Sequence, residues 1–590
     1  MPNLVKPSAS VLRRWFGWTL TLLALYSLTM AFVLVFSLVS AYDRVQRLTE
    51  NGSPSKEVST STIMALESDA RRAAAAANDP SVAFLEFIPW IGSDVHVARV
   101  LSLGLDNNLK SLGPLIQQRD ALSLGKADLP KTIEALAGSM DALDQSIMRF
   151  DADLQKINPQ DLHFGLGAKV LRLKTLIKDV KQAVHEGSPL VKTASVILNQ
   201  PGKSTWFLAT QNAAELRASG GLLGSYAVVA IEDGKIKLQD FGADAKLLSK
   251  GRLNVAFDAT LENVWGADLG DWRDLNVSSH IPDDGKIISD AWEQKFHQKL
   301  DGVVFFSQGT VAHLLGATGP VNLRGLSLNS DNSVDFLTKG IYAQFPDVKQ
   351  KNRVVSNLMK AIFQRLSSQK LDPAGLFKSL SNTRNEDTIY LWASSANVQE
   401  EIQNKGLDGS ITKAAGPMVV VGINNGGGNK LDAYLKTAYE YTLGKCGTKT
   451  WDNLPGRHSS VAVTLTNQAP KSGLPAYVNP RLDLRRGEKW VPSSNHEVIS
   501  IYAPIGSTDE YFTINGMEAG GQVALSQDHP LYVLDVYLGP GETKTVKVSF
   551  IEPVVDSVGK RFAALPQLRS QQTLGGSKTR ASSIGECTVR

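Results

Sequence analysis

The residue types that could do chemistry fall in four short segments. The first runs from Asn212 to Ser225 and sets Glu215 and Arg217 two residues apart, followed by Ser219, Gly220, Gly221 and Gly224. A guanidinium beside a carboxylate suits phosphate chemistry, and glycines let backbone N–H groups approach an anion. An ion pair that fixes a tight turn is the plainer reading of the same spacing. The second segment, Asp271-Trp272-Arg273-Asp274-Leu275-Asn276, adds Asp274 and Asn276. The third is Arg353, near the start of an amphipathic helix. The fourth, Asn424 to Tyr434, reads as a Gly-rich loop opening a helix at Lys430, with Asp432 in its first turn. Unpaired N–H groups at a helix start favour anions. Capping by Asn429 is an equal alternative.

These segments offer candidate groups for a polar, anion-binding site. Glu215, Arg217 and Asp274 are its expected catalytic groups. Arg353, Ser219, Gly220, Gly221, Asn276, Lys430 and Asp432 would bind the ligand. The cofactor is left open, and turnover would call for Mg²⁺ held by Glu215 or Asp274. G-x-S-x-G, Walker and H-E-x-x-H motifs are absent, and the nine histidines are scattered. With 62 basic against 58 acidic residues and no dense basic run beyond the N-terminal region, nothing calls for nucleic acid.

The elements that must hold these segments follow from patterning. Trp15 to Tyr42 carries no charge, enough to cross a bilayer, with Lys6, Arg13 and Arg14 before it. This predicts a single-pass protein of the cell membrane, with residues 1–14 cytoplasmic and the bulk outside. A cleaved signal peptide ending at Val39-Ser40-Ala41 is the rival. Residues 43–200 read as a helical stalk, with a seam at Ile133, Leu136, Met140, Leu143, Ile147, Phe150, Leu154 and Ile157, repeated at Val170, Leu173, Ile177, Val180 and Val184. Residues 201–445 alternate strand and helix signals, including a hairpin at Asp233-Gly234 and a helix from Lys430 to about Tyr441. Residues 446–590 read as a β-sandwich ending in a polar tail that is loose unless Cys587 ties it back. The expected fold is thus multidomain α+β. Its two cysteines, Cys446 and Cys587, would form a disulfide outside the membrane, closing a 141-residue loop.

Gln211-Asn212-Ala213-Ala214-Glu215-Leu216-Arg217-Ala218-Ser219-Gly220-Gly221 with Gly224-Ser225-Tyr226 resembles the signature of the domain of unknown function 4012 family, found in envelope proteins of Gram-positive bacteria, especially actinobacteria. The likeness continues at Asp274-Leu275-Asn276, Pro282, Leu300 to Val303, Gly316 to Val321, Arg353 and Asn429 to Tyr434, with departures at Val277 and His280. A remoter likeness is to the LytR–CpsA–Psr enzymes. It would make the 201–445 domain a phosphotransferase that moves glycopolymers from a polyprenyl-diphosphate lipid to the wall. Arg353 matches one arginine of their helix motif, while their R-S-D-T segment is only loosely echoed by Arg217 and Ser219, with no Asp in register. The expected function is therefore binding of a glycan or polyprenyl-diphosphate-linked glycopolymer in envelope polysaccharide assembly, with or without turnover. The alternative is a non-catalytic scaffold that contacts other envelope proteins, in which Glu215, Arg217 and Asp274 form a buried ion-pair network.

Overall fold

The computed structural model describes residues 9–49, 60–117, 129–248, 252–257, 259–266, 269–323, 325–368, 373–411, 416–555 and 566–583. The chain divides into two compact units, residues 1–121 with 131–191, and 122–130 with 192–590.

The first unit is helical: α1 (Ala9–Thr49), α2 (Thr60–Ala77), α3 (Pro80–Leu85), α4 (Gly92–Gln117), α5 (Leu129–Gln155) and α6 (Leu166–Leu198). Within α1 lies a stretch long and apolar enough to cross a membrane. The α5 seam is buried at Leu136, Met140, Leu143, Ile147, Phe150 and Leu154, because its three-and-four spacing keeps these side chains on one face. Val170 and Val184 of α6 are buried too, whereas Val180 is 37% exposed. Gly104 admits the Phe150 ring so closely that a Cβ there would fall 2.1 Å from it.

The second unit begins with β1 (Lys203–Asn212), β2 (Leu222–Glu232) and β3 (Lys235–Ala243). Asp233 and Gly234 join β2 to β3 with φ of 49° and 69°, as a two-residue hairpin turn of matching twist demands. The short helices α7 (Asp244–Leu247) and α8 (Ala259–Trp265) and the longer α9 (Ile281–Phe296) lead to β4 (Gly302–Phe306), which lies parallel to β1. Next come α10 (Gln308–Thr318), the small hairpin β5 (Val321–Leu323) and β6 (Leu326–Leu328), the helix Val348–Ser368 and β7 (Ile389–Ala393). The sheet order is β3-β2-β1-β4-β7. Phe207, Tyr226, Trp272, Trp292 and Phe305 pack together on its α9 side.

Two further sheets face each other. β8 (Met418–Asn425), β9 (Leu435–Lys449), β10 (Pro455–Asn467), β11 (Asn495–Tyr502), β12 (Thr508–Ile514), β13 (Met517–Glu518), β14 (Gln522–Ser526), β15 (His529–Leu538), β16 (Thr543–Pro553), β17 (Gln567–Ser570) and β18 (Ser577–Ser583) form them, in orders β13-β12-β16-β10-β9-β18 and β14-β15-β11-β8-β17. Val421, Ile423, Tyr439, Tyr441, Val463, Ile501, Leu534 and Val548 fill the space between.

Three local expectations change. The predicted helix from Lys430 is a single 3-10 turn, Leu431–Tyr434, followed by a strand. Leu435, Thr437, Tyr439, Tyr441 and Leu443 alternate inward, a period of two with aromatic residues that a helix would scatter around its circumference. The boundary expected at 445/446 consequently falls inside β9, and β8 also belongs to the sandwich. The tail expected to be loose contributes β18, paired in parallel with β9. Cys446 lies in β9, and Cys587 is outside the described residues.

Candidate functional site

The loop between β1 and β2 folds back on itself and is held by its own backbone. Several of its N–H groups are spent on protein acceptors. Ala213 donates to Gln308 Oε1, Ala214 to Asn212 Oδ1, Leu216 to Asp432 Oδ2, Ala218 to Asn424 Oδ1, and Gly220 to the Arg217 carbonyl. Gly221 is required by packing, because a Cβ would fall 2.4 Å from the Asn212 backbone. The glycines thus serve the fold of the loop, and these five N–H groups are not presented to an anion.

Arg217 is the centre of the cluster and is only 5% exposed. Its Nη2 reaches Asp274 Oδ1 at 2.6 Å and Glu215 Oε1 at 3.2 Å, and its Nε reaches Asp274 Oδ1 at 3.1 Å. Nη1 donates to the Leu216 carbonyl. The other Glu215 oxygen accepts from Lys430 Nζ. Burial pushes the Lys430 ammonium down to about 7, against the pull of Asp432. Asn276 donates to Ser219 Oγ at 3.0 Å and to the Gly221 carbonyl at 2.8 Å, tying the loop to the chain just beyond the 3-10 turn Trp272–Asp274.

Beneath this lies a second, fully buried layer. Asp432 accepts from Leu216 N–H at 2.6 Å, from Asn425 Nδ2 at 2.8 and 2.9 Å, and from Asn495 Nδ2 at 3.2 Å. Asn495 also donates to Glu497 Oε1 at 2.9 Å. Burial raises both carboxyls, and burial with the neighbouring Asp432 charge holds Glu497 well above the usual carboxylate range. The two acids lie together among the amide donors of Asn425 and Asn495.

Of the residues singled out from sequence, Glu215, Arg217, Ser219, Gly220, Gly221, Asp274, Asn276, Lys430 and Asp432 meet in this one region. Arg353 does not join them. It is exposed on the helix Val348–Ser368, whose Lys351, Asn352, Val355, Ser356, Leu358 and Met359 face a cleft instead. The carboxylates of Glu215 and Asp274 are each committed to a cation, which does not fit the Mg²⁺ role. Among the described residues no three His, Cys, Asp or Glu side chains gather as metal ligands. The Gly-rich segment before Lys430 is packed rather than open, since a Cβ on Gly426 would fall 2.7 Å from His496 Nδ1. Asn429 accepts from Leu431 N–H at 3.2 Å, at the entry to the 3-10 turn.

The cleft has about 750 Å³ of space, part of it open to solvent, and touches the network at Asn212 and Lys430. Val311, Leu337, Ile341, Val355 and Met359 make an apolar wall, with Tyr342, Tyr477, Lys351 and Asp244 set against it. The rings of Tyr342 and Tyr477 stack at 5.8 Å and 24°. Lys351 Nζ lies 4.6 Å from the Tyr477 centroid and 5.3 Å from that of Tyr342. Burial lowers the Lys351 ammonium, against the charge of Asp244, and burial raises Asp244. Sequence reasoning missed this group. Asp244, Tyr342, Lys351 and Tyr477 come from four separate elements, and no local spacing marks them.

A family model described as protein of unknown function (DUF4012) matches residues 201–342. The chain carries a DUF4012 domain. That segment holds β1 to β4, the Glu215–Arg217 loop and Tyr342, whereas Lys351, Lys430 and Tyr477 lie beyond it in the chain. No curated protein matches the chain. A crystal structure of a candidate nutrient-binding protein from Legionella pneumophila aligns over 22% of this chain and 42% of that one, at 10% identity and a TM-score of 0.15, too low to carry an argument.

Proposed function

We propose that this DUF4012 protein is anchored in the membrane by α1, faces outward, and binds a glycan or polyprenyl-diphosphate-linked glycopolymer in the Tyr342–Tyr477 cleft. The observation that carries this reading is the Lys351 ammonium over two stacked tyrosine rings, with Asp244 and an apolar wall in the same cleft. Aromatic faces and side-chain amides suit sugar rings, an ammonium suits a phosphate, and the apolar wall suits the first carbons of a lipid. In this reading Glu215, Arg217, Asp274 and Lys430 position the cleft floor and do not act on the ligand. The test is titration of the full-length protein in detergent micelles with a short-chain polyprenyl-diphosphate glycan, followed by calorimetry. Saturable binding that Tyr477→Ala weakens supports the reading, and absence of binding overturns it.

The scaffold alternative draws on the saturation of Arg217 and of the loop N–H groups. It differs in predicting an empty cleft. We also propose the Cys446–Cys587 bond. The β18–β9 register ends at Ser583 opposite Leu443, leaving four residues to Cys587 on one strand and three to Cys446 on the other.

A further inference from the structure

Two elements bring opposite charges to the cleft. In the sheet, the register pairs Thr210 with Ser225 and Ser225 with Ala243, so β1, β2 and β3 each give one residue to a row along the cleft edge. The chain turns into α7 at the next residue, which sets Asp244 at the end of that row. In the helix Val348–Ser368, the cleft residues Lys351, Val355 and Met359 repeat at every fourth position and so share one face.

Asn212, Gln308 and Lys430 also border the cleft, but their polar groups are spent inside the protein. Asn212 Oδ1 accepts from Ala214 N–H and from Gln308 Nε2, both at 3.0 Å, and Asn212 Nδ2 donates to Tyr342 OH at 2.6 Å. Lys430 is bound to Glu215. Lys351 and Asp244 keep unspent capacity. Among the described residues neither forms an ion pair, and the Lys351 ammonium donates no hydrogen bond, its contacts being the two tyrosine rings. One Asp244 oxygen accepts from Ala245 N–H at 2.8 Å, and the other accepts from no described group. Arg273, which also acts on Asp244, is committed to Asp271 at 2.8 and 2.9 Å. Burial destabilises both charges, lowering the ammonium and raising the carboxyl, and no ion pair between them offsets this.

We propose that Asp244 determines which sugar the cleft accepts. Its unspent oxygen takes a hydrogen bond from a hydroxyl of a neutral sugar while Lys351 holds the adjoining phosphate. A uronic acid in the same place is refused, because its carboxylate meets that of Asp244. A carboxylate accepts readily from a hydroxyl, and in a half-buried cleft it repels a like charge more strongly than in water, so it selects by exclusion as well as by attraction. The inference rests on reading the cleft as the glycan site.

The test titrates two ligands into the full-length protein in detergent micelles and neutral buffer: a glucosyl and a glucuronosyl sugar on the same short-chain polyprenyl diphosphate. Wild type, Asp244→Asn and Asp244→Ala are compared, with melting midpoints taken on the same samples. Asparagine keeps an acceptor for Ala245 N–H and for a hydroxyl but removes the charge. The wild type should bind the glucosyl compound about tenfold more tightly than the glucuronosyl one, and Asp244→Asn should bring the two within about twofold of each other. Asp244→Ala, which removes the acceptor, should weaken the glucosyl compound about fivefold, the worth of one hydrogen bond. Because the wild-type preference is measured without any substitution, a folding defect in a variant leaves the test intact. A wild type that binds both compounds equally, or an Asp244→Asn protein that keeps the wild-type ratio, overturns the specificity role and leaves the cleft reading standing. Binding of neither compound to the wild type overturns the cleft reading and the specificity role with it.

Discussion

Arg217 and Asp274, 57 residues apart in the chain, meet through two donors on one oxygen: Nη2 at 2.6 Å and Nε at 3.1 Å from Oδ1. The same Nη2 also reaches Glu215, so one guanidinium neutralises carboxylates from two segments. Removing it strands both. Arg217→Ala is expected to cost about 3–5 kcal/mol in urea unfolding, as breaking a buried pair does. A near-native midpoint would show that the network carries no structural load.

Glu497 and Asp432 set a pH dependence. Burial raises Glu497 well above its ordinary value of about 4.3. A raised folded value means that the folded state binds the proton more tightly, so this stability is full below the ordinary value and declines as pH rises through the folded one. Glu497→Gln keeps a donor toward Asp432 without the titration. Thermal melts of the wild type should lose stability as pH rises above the ordinary glutamate range, and the Glu497→Gln profile should be flatter. Parallel profiles would contradict the raised Glu497 carboxyl.

The cleft side chains should separate from the network in the opposite sense. Tyr477 is 42% exposed, so Tyr477→Ala should change the melting midpoint little. Losing a cation–π and stacking platform should weaken glycan binding about tenfold, roughly 1.4 kcal/mol. Arg353→Ala, at an exposed position outside the cleft lining, should alter neither property.

The proposed disulfide gives a chemical prediction. Non-reducing peptide mapping should recover one cross-linked peptide holding Cys446 and Cys587. Cys446→Ser should lower stability by up to about 5 kcal/mol, the chain-entropy figure for a 141-residue loop. Two separately alkylated cysteines would refute it.

What the sequence displayed was local. The α5 seam and the Asp233-Gly234 hairpin were legible because periodicity and turn chemistry act within a few residues. The β9 strand was misread because Leu435-Lys436-Thr437-Ala438-Tyr439-Glu440 contains good helix formers, and only pairing with β10 rewards its alternation. The network could be gathered from motif residues, but not its burial. Glycines that look like an anion cradle close onto the protein's own backbone and side chains. Asn495 and Glu497 gave no signal, since an isolated amide or acid reads as surface. The irregular segment 468–494 between β10 and β11 brings Tyr477 to the cleft by contacts that include the Lys430 N–H to Val478 carbonyl bond at 2.9 Å.

In this reading the ligand lies in the cleft against Lys351 and the exposed side of Tyr477, while Arg217 supports the fold. Calorimetric titration of a polyprenyl-diphosphate glycan into the full-length wild type and Lys351→Ala tests it most directly, with melting midpoints taken on the same samples. Saturable binding to the wild type is expected, with loss of binding and a nearly unchanged midpoint for Lys351→Ala. Equal affinity in both proteins, or no binding to either, would contradict it.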